Sequence, residues 1–103
     1  MSETIIEKDE QEFLDWLRVK GLSDQTLAVY RNGLRHFARW YWLSRGKQLS
    51  AEEVENKDLQ DYRAYIWGQK RQQGPRLAGG TISTYVSATR HFLEWAQQSS
   101  TST

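Results

Sequence analysis

The chain has 103 residues, 14 basic and 13 acidic groups, two histidines, one proline and no cysteine, for a net charge of +1. That length is one domain's worth. Without cysteine, a disulfide framework and a Cys-rich zinc site are excluded. No apolar run approaches the roughly 20 residues of a membrane span, and the first residues lack the basic-then-apolar order of a signal peptide. The expectation is a cytoplasmic chain with no membrane, metal or cofactor requirement. Five Trp, five Tyr and three Phe supply large buried areas to a small core.

Apolar periodicity predicts four helices and no strand. The leader, residues 1–8, reads as flexible. The first helix runs from about Asp9 to Lys20, with Phe13, Leu14 and Leu17 on one face, and Gly21 suits the left-handed position past its end. Ser23 caps a second helix, from Asp24 to about Arg45, whose Leu27, Tyr30, Leu34, Phe37 and Tyr41 form a stripe that Gly46 ends. Ser50-Ala51-Glu52-Glu53 has the pattern of a reciprocal cap, and Asn56 is positioned to cap a third helix from Lys57 to about Gln72, with Leu59, Tyr62 and Ile66 inward. Residues 72–80 read as a loop. A fourth helix runs from about Thr81 to Gln97 with Ile82, Tyr85, Val86, Thr89, Phe92, Leu93 and Ala96 on its core face, and residues 98–103 read as a Ser/Thr-rich linker. The fold class is therefore all-α, a compact bundle of four main helices, with the domain over residues 9–97.

The even charge balance conceals blocks. Residues 1–23 sum to −3, 24–49 to +4, 50–62 to −4 and 63–103 to +4. Such asymmetry can build one basic face. At about 100° per residue, Asn32, Arg35, His36 and Arg39 fall opposite the core stripe of the second helix, with Arg31 at the edge. Arg31, Arg35 and Arg39 form one ridge. Between Asp24 and Glu52 no acid interleaves with them, which leaves the charges free for an anionic partner unless an acid of the first helix pairs with Arg31. On the fourth helix Ser83, Thr84, Ser87, Arg90 and His91 face outward. Thr81 sits near the helix start, where free N–H groups suit a phosphate. Hydroxyls and cations bind phosphate, and Arg and Asn read base edges, so these two helices are candidates for a DNA groove. Lys70, Arg71 and Arg76 flank the Gly/Pro loop and are candidate backbone contacts. The aromatics Trp40, Trp42, Trp67 and Trp95 are read as packing rather than as base-stacking platforms.

Catalytic signals are poor. His36-Phe37-Ala38-Arg39 matches a His-x-x-Arg pattern found in some DNA-cleaving sites, but it rides an amphipathic helix and reads as a surface pair. No residue is assigned a catalytic role.

Two segments carry a resemblance. The run from Leu22 to Phe37 followed by Trp40, and the run from Thr81 to Trp95 with its Thr-Ile start and Ser-Ala-x-Arg-x-Phe centre, resemble the first and last parts of the N-terminal domain of tyrosine recombinases, the phage integrase family. Val54 to Tyr62 resembles the start of that domain's third helix, and the likeness spans about Glu10 to Gln97. The resemblance implies a SAM-like core-binding domain that forms half of a clamp around double-stranded DNA, its second and fourth helices against the major groove. By position, Asn32, Arg35, Arg39, Ser83, Thr84, Ser87 and Arg90 become DNA-facing. It also implies a prokaryotic or phage origin, a place at the nucleoid, other recombinase protomers as partners, and a separate catalytic domain holding the Tyr nucleophile. The isolated domain is expected to be a monomer that binds DNA weakly, at about 10⁻⁴–10⁻⁶ M. The competing reading is a SAM-like protein-interaction module using exposed Trp residues.

Overall fold

The computed structural model describes residues 4–73 and 79–101, with side chains for 4–68 and 79–98. Four helices follow in order: α1 (Glu7–Val19), α2 (Asp24–Arg45), α3 (Asn56–Gln73) and α4 (Gly79–Thr101). Their local punctuation is largely chemical. Glu7, Asp9 and Glu10 place negative charge in the first turn of α1, where the helix dipole favours it. Gly21 (φ 99°) and Gly46 (φ 74°) take the left-handed conformation after α1 and α2, which costs glycine nothing. The Ser23 side chain accepts the Thr26 N–H at 3.2 Å and caps α2.

Two caps differ from expectation. The Glu53 carboxylate does not reach back to Ser50. It takes the Lys47 ammonium at 2.7 Å instead, and the buried Ser50 hydroxyl has no hydrogen-bond partner among the described residues. That turn is held from α1, where Asp9 accepts the Ala51 N–H at 2.9 Å. At α3 the cap position is Glu55 rather than Asn56, and Asp58 reaches back to accept the Glu55 N–H at 2.9 Å. Asn56 instead accepts from Gln97 at 3.0 Å and ties α3 to α4.

Both ends of the domain also differ. The leader was expected to be flexible before Asp9, yet α1 begins at Glu7 and Ile5 is fully buried. Ile5 pairs with Leu49 in an isolated parallel bridge, where Ile6 N–H donates to the Leu49 carbonyl at 3.0 Å and Leu49 N–H donates to the Thr4 carbonyl at 2.9 Å. The apolar pair Ile5-Ile6 in a polar leader was the signal for this. At the other end α4 starts at Gly79 and continues through Thr101, past the expected stop at Gln97. Of the expected loop, residues 74–78 lie outside the described residues.

The core is one aromatic-rich cluster. Phe13, Leu17, Leu34, Phe37, Tyr41, Tyr62, Ile66, Ile82 and Phe92 are almost fully buried. Phe13 meets Phe92 edge-on with ring centroids 5.3 Å apart, and Phe37 meets Tyr62 the same way at 5.0 Å. Leu59, expected inward, is only half-buried, and Asp58 takes the buried place on α3. Trp40 and Trp95 are buried as packing residues, whereas Trp42 is exposed. Thr89, a polar residue on the core face of α4, is fully buried and donates its hydroxyl to the Tyr85 carbonyl at 3.0 Å, which satisfies it within its own helix.

The most extensive helix contact is between α2 and α4. They cross at Gly33. A Cβ placed there would stand 2.9 Å from Tyr85 Cδ1, 3.1 Å from Tyr85 Cα and 3.2 Å from Ala88 Cβ. Any side chain at position 33 would require Tyr85 to shift, so glycine suits this close approach, which sets the relative position of the two helices that carry the candidate site.

Candidate nucleic-acid interface

The outward stripe of α2 carries Arg31, Asn32, Arg35 and Arg39, all exposed. The three arginines do not share one role. Arg35 donates from Nε and Nη2 to both carboxylate oxygens of Glu10, at 2.9 and 3.0 Å. Glu10 lies almost wholly inside, at 9% side-chain exposure against 47% for Arg35. The Glu10 carboxylate, chiefly through these hydrogen bonds, holds the Arg35 proton more firmly than usual. The expectation that the ridge stands free for an anion therefore fails at Arg35. Its counter-charge comes from α1, so the absence of an acid on α2 itself was not decisive.

The same holds elsewhere in the basic block. Arg45 bridges Asp58 and Asp61 of α3 at 3.0 and 2.7 Å while lying over the Trp40 ring at 4.9 Å. With Lys47 paired to Glu53, most of this block is neutralised inside the fold by the acidic blocks on either side. Arg31 and Arg39 remain, and neither makes an ion pair with a described residue.

His36 is not a surface residue. It is half-buried, its Nδ1 is 2.8 Å from the Tyr62 hydroxyl, and its ring lies 5.3 Å from that of Tyr85. Burial, with a lesser push from the Arg39 charge, lowers its pKa below the ordinary 6.5. His36 thus links α2 to α3 as a neutral ring near pH 7. Burial likewise pushes the Tyr62 phenol above its ordinary range, opposite to what a tyrosine nucleophile needs.

This gives a pH test. The unfolded chain takes up a proton at His36 near 6.5, and the folded chain does so only at lower pH. Below that value the unfolded state binds more protons, so the His36 contribution is full above about pH 6.5 and is lost as pH falls. The urea midpoint of the wild type is expected to drop more between about pH 7.5 and about pH 5 than that of His36→Gln. Parallel pH profiles would show that His36 is not the titrating group.

On α4, Ser83 and Arg90 are exposed and Thr81, Thr84, Ser87 and His91 are half-buried. Arg90 makes no ion pair with a described residue, although Glu94 lies one turn on. Two polar groups are locally engaged. Thr84 donates its hydroxyl to the Gly80 carbonyl at 2.9 Å, and His91 Nδ1 donates to the Ser87 carbonyl at 2.7 Å with its ring 5.6 Å from Tyr30. A groove between the two helices is lined by Val29, Asn32, Gly80, Thr81, Thr84 and Tyr85. It joins Asn32 to Thr81 and Thr84. Val29 and Gly33 were not expected at the site; Val29 was visible as an apolar residue off the core stripe. Lys70 and Arg71 lie within α3 with side chains outside the described residues, as is all of Arg76.

Among the described residues no helix is long and apolar enough to cross a membrane. Residues 10–98 match the family described as phage integrase, N-terminal SAM-like domain, and the chain belongs to that family, with four helices in its all-α fold. Tyrosine recombinase XerD of Shewanella oneidensis is 39% identical over 87 residues, covering 84% of this chain and 26% of that protein. The chain thus spans about a quarter of the length of this relative. No solved structure matches it.

Proposed function

We propose that the chain is the DNA-binding module of a site-specific tyrosine recombinase, and that it docks α2 and α4 on duplex DNA. Family membership supplies the class. The observation that carries the docking is the pair of exposed guanidinium groups on α2 that make no ion pair among the described residues: Arg39, on the same stripe as Asn32, which lines the groove formed with the start of α4, and Arg31, on the flank toward α1. In a fold that neutralises Arg35, Arg45 and Lys47 internally, cations left without a counter-charge suit a polyanion. Ser83, Ser87, Thr81 and Arg90 supply further phosphate contacts from α4. Lys70, Arg71 and Arg76 extend them along the backbone.

Strand cleavage belongs to the second domain of such a recombinase. We assign no catalytic role to His36 and Arg39, since the histidine is engaged by Tyr62. A purely protein-binding role finds less support. The exposed apolar residues Val19, Val29, Trp42, Leu43 and Tyr65 are spread over three helices.

Fluorescence anisotropy across a salt series tests the docking. Arg39→Ala and Arg90→Ala are each expected to weaken binding to duplex DNA and to make the plot of log affinity against log salt shallower by about 0.9 per lost phosphate contact. Slopes equal to wild type in both variants would refute it.

A further inference from the structure

The groove at the α2–α4 crossing has a composition that phosphate binding does not require. Val29 is 41% exposed on the polar side of α2. Asn32, one turn on, is exposed and makes no side-chain hydrogen bond to a described residue. Arg39 follows Asn32 on the same stripe, and no carboxylate lines the groove. At Gly80, on the opposite wall, a side chain would meet nothing within 4 Å, so that wall is open.

We propose that this groove selects an A·T-containing step in the DNA major groove, with Asn32 reading an adenine edge and Val29 receiving a thymine methyl. This rests on the docking reading above. The Asn32 amide offers one acceptor and one donor side by side, the complement of the adenine N6 amine and N7. Guanine presents two acceptors there, and its partner would be a guanidinium. No guanidinium lines the groove, and that of Arg35, one turn beyond Asn32 on α2, donates from Nε and Nη2 to Glu10. An apolar Val29 has no use for phosphate, and the thymine C5-methyl is the one apolar group the major-groove edge presents. Thr84 does not compete as a donor, because its hydroxyl hydrogen is committed to Gly80.

The test is selection of duplexes from a randomised library by the chain itself, followed by anisotropy on an enriched duplex and two analogues. One analogue carries uracil for thymine and removes only the methyl; the other carries 7-deazaadenine and removes only N7. The wild type is expected to enrich a shared A·T pair, to lose affinity several-fold with uracil, and to lose roughly fivefold to a hundredfold with 7-deazaadenine. Val29→Ala should abolish the uracil effect and Asn32→Ala the 7-deazaadenine effect, with salt slopes unchanged. Salt-dependent binding with no base preference, or with a preference untouched by both variants and both analogues, overturns the proposal while leaving docking intact. Absence of salt-dependent binding to any duplex overturns docking, and the proposal with it.

Discussion

Gly33→Val is expected to be the most damaging single substitution on α2. The Cα of Tyr85 stands 3.1 Å from where the new Cβ would be, and a backbone atom cannot rotate out of the way. Gly33→Ala separates two opposing effects. Alanine gains about 1 kcal/mol of helix propensity, while overpacking costs about 1–3 kcal/mol. The alanine variant should therefore be neutral to moderately destabilised. Valine adds two branched methyl groups at the crossing and should lose about 3 kcal/mol or more, a large part of a small domain's stability. Urea denaturation followed by circular dichroism reads both. A valine variant with the wild-type midpoint would mean that the helices do not approach this closely. Because α2 and α4 frame the groove, a surviving valine variant should also bind DNA less well than its folded fraction predicts.

Arg35→Ala is expected to separate a structural arginine from those proposed to face DNA. Removing the guanidinium leaves the nearly buried Glu10 carboxylate without its two donors. Loss of a fully buried partner costs about 3–5 kcal/mol. Here Arg35 is half exposed and water can enter, so about 1–3 kcal/mol is expected. Arg35→Lys should recover only part of this, since one ammonium cannot match the two-armed geometry. Under conditions where the variant is folded, its DNA salt slope should equal that of wild type, in contrast to Arg39→Ala. A slope as shallow as that of Arg39→Ala would mean that the Glu10 pair opens on DNA and that Arg35 binds phosphate after all.

The contrast between these arginines shows how far the sequence could be read. The helices were legible because their signals are local: the spacing of Leu27, Leu34, Phe37 and Tyr41, the Ser23 cap, and the glycines at 21 and 46. The family was legible because its motifs follow the same spacing. The candidate site was legible only as a set of outward positions on α2 and α4. Which of those groups are free depends on residues distant in the chain, Glu10 against Arg35, Tyr62 against His36, and Asp58 and Asp61 against Arg45, and no helical wheel contains that information. The Ser50–Glu53 pattern failed for a related reason. Lys47 and Asp9 were better placed to take the roles that pattern offers. Gly33 gave no local signal, because a glycine within a helix reads as a small cost until the neighbour that needs its space is known.

The bridge between Ile5 and Leu49 makes the first half of the domain a closed circuit. The chain leaves Ile5, runs out along α1, reverses at Gly21, returns along α2, and comes back beside its own starting point. Closing so long a loop costs conformational entropy, which the burial of Ile5 and Leu49 and the Asp9 bond to Ala51 offset. The reversal at Gly21 and the clasp at Leu49 thus hold the circuit at opposite ends. α1 is registered against α2 by more than the Glu10–Arg35 pair, and the acid that neutralises Arg35 is itself fixed in position by the polypeptide closing on itself.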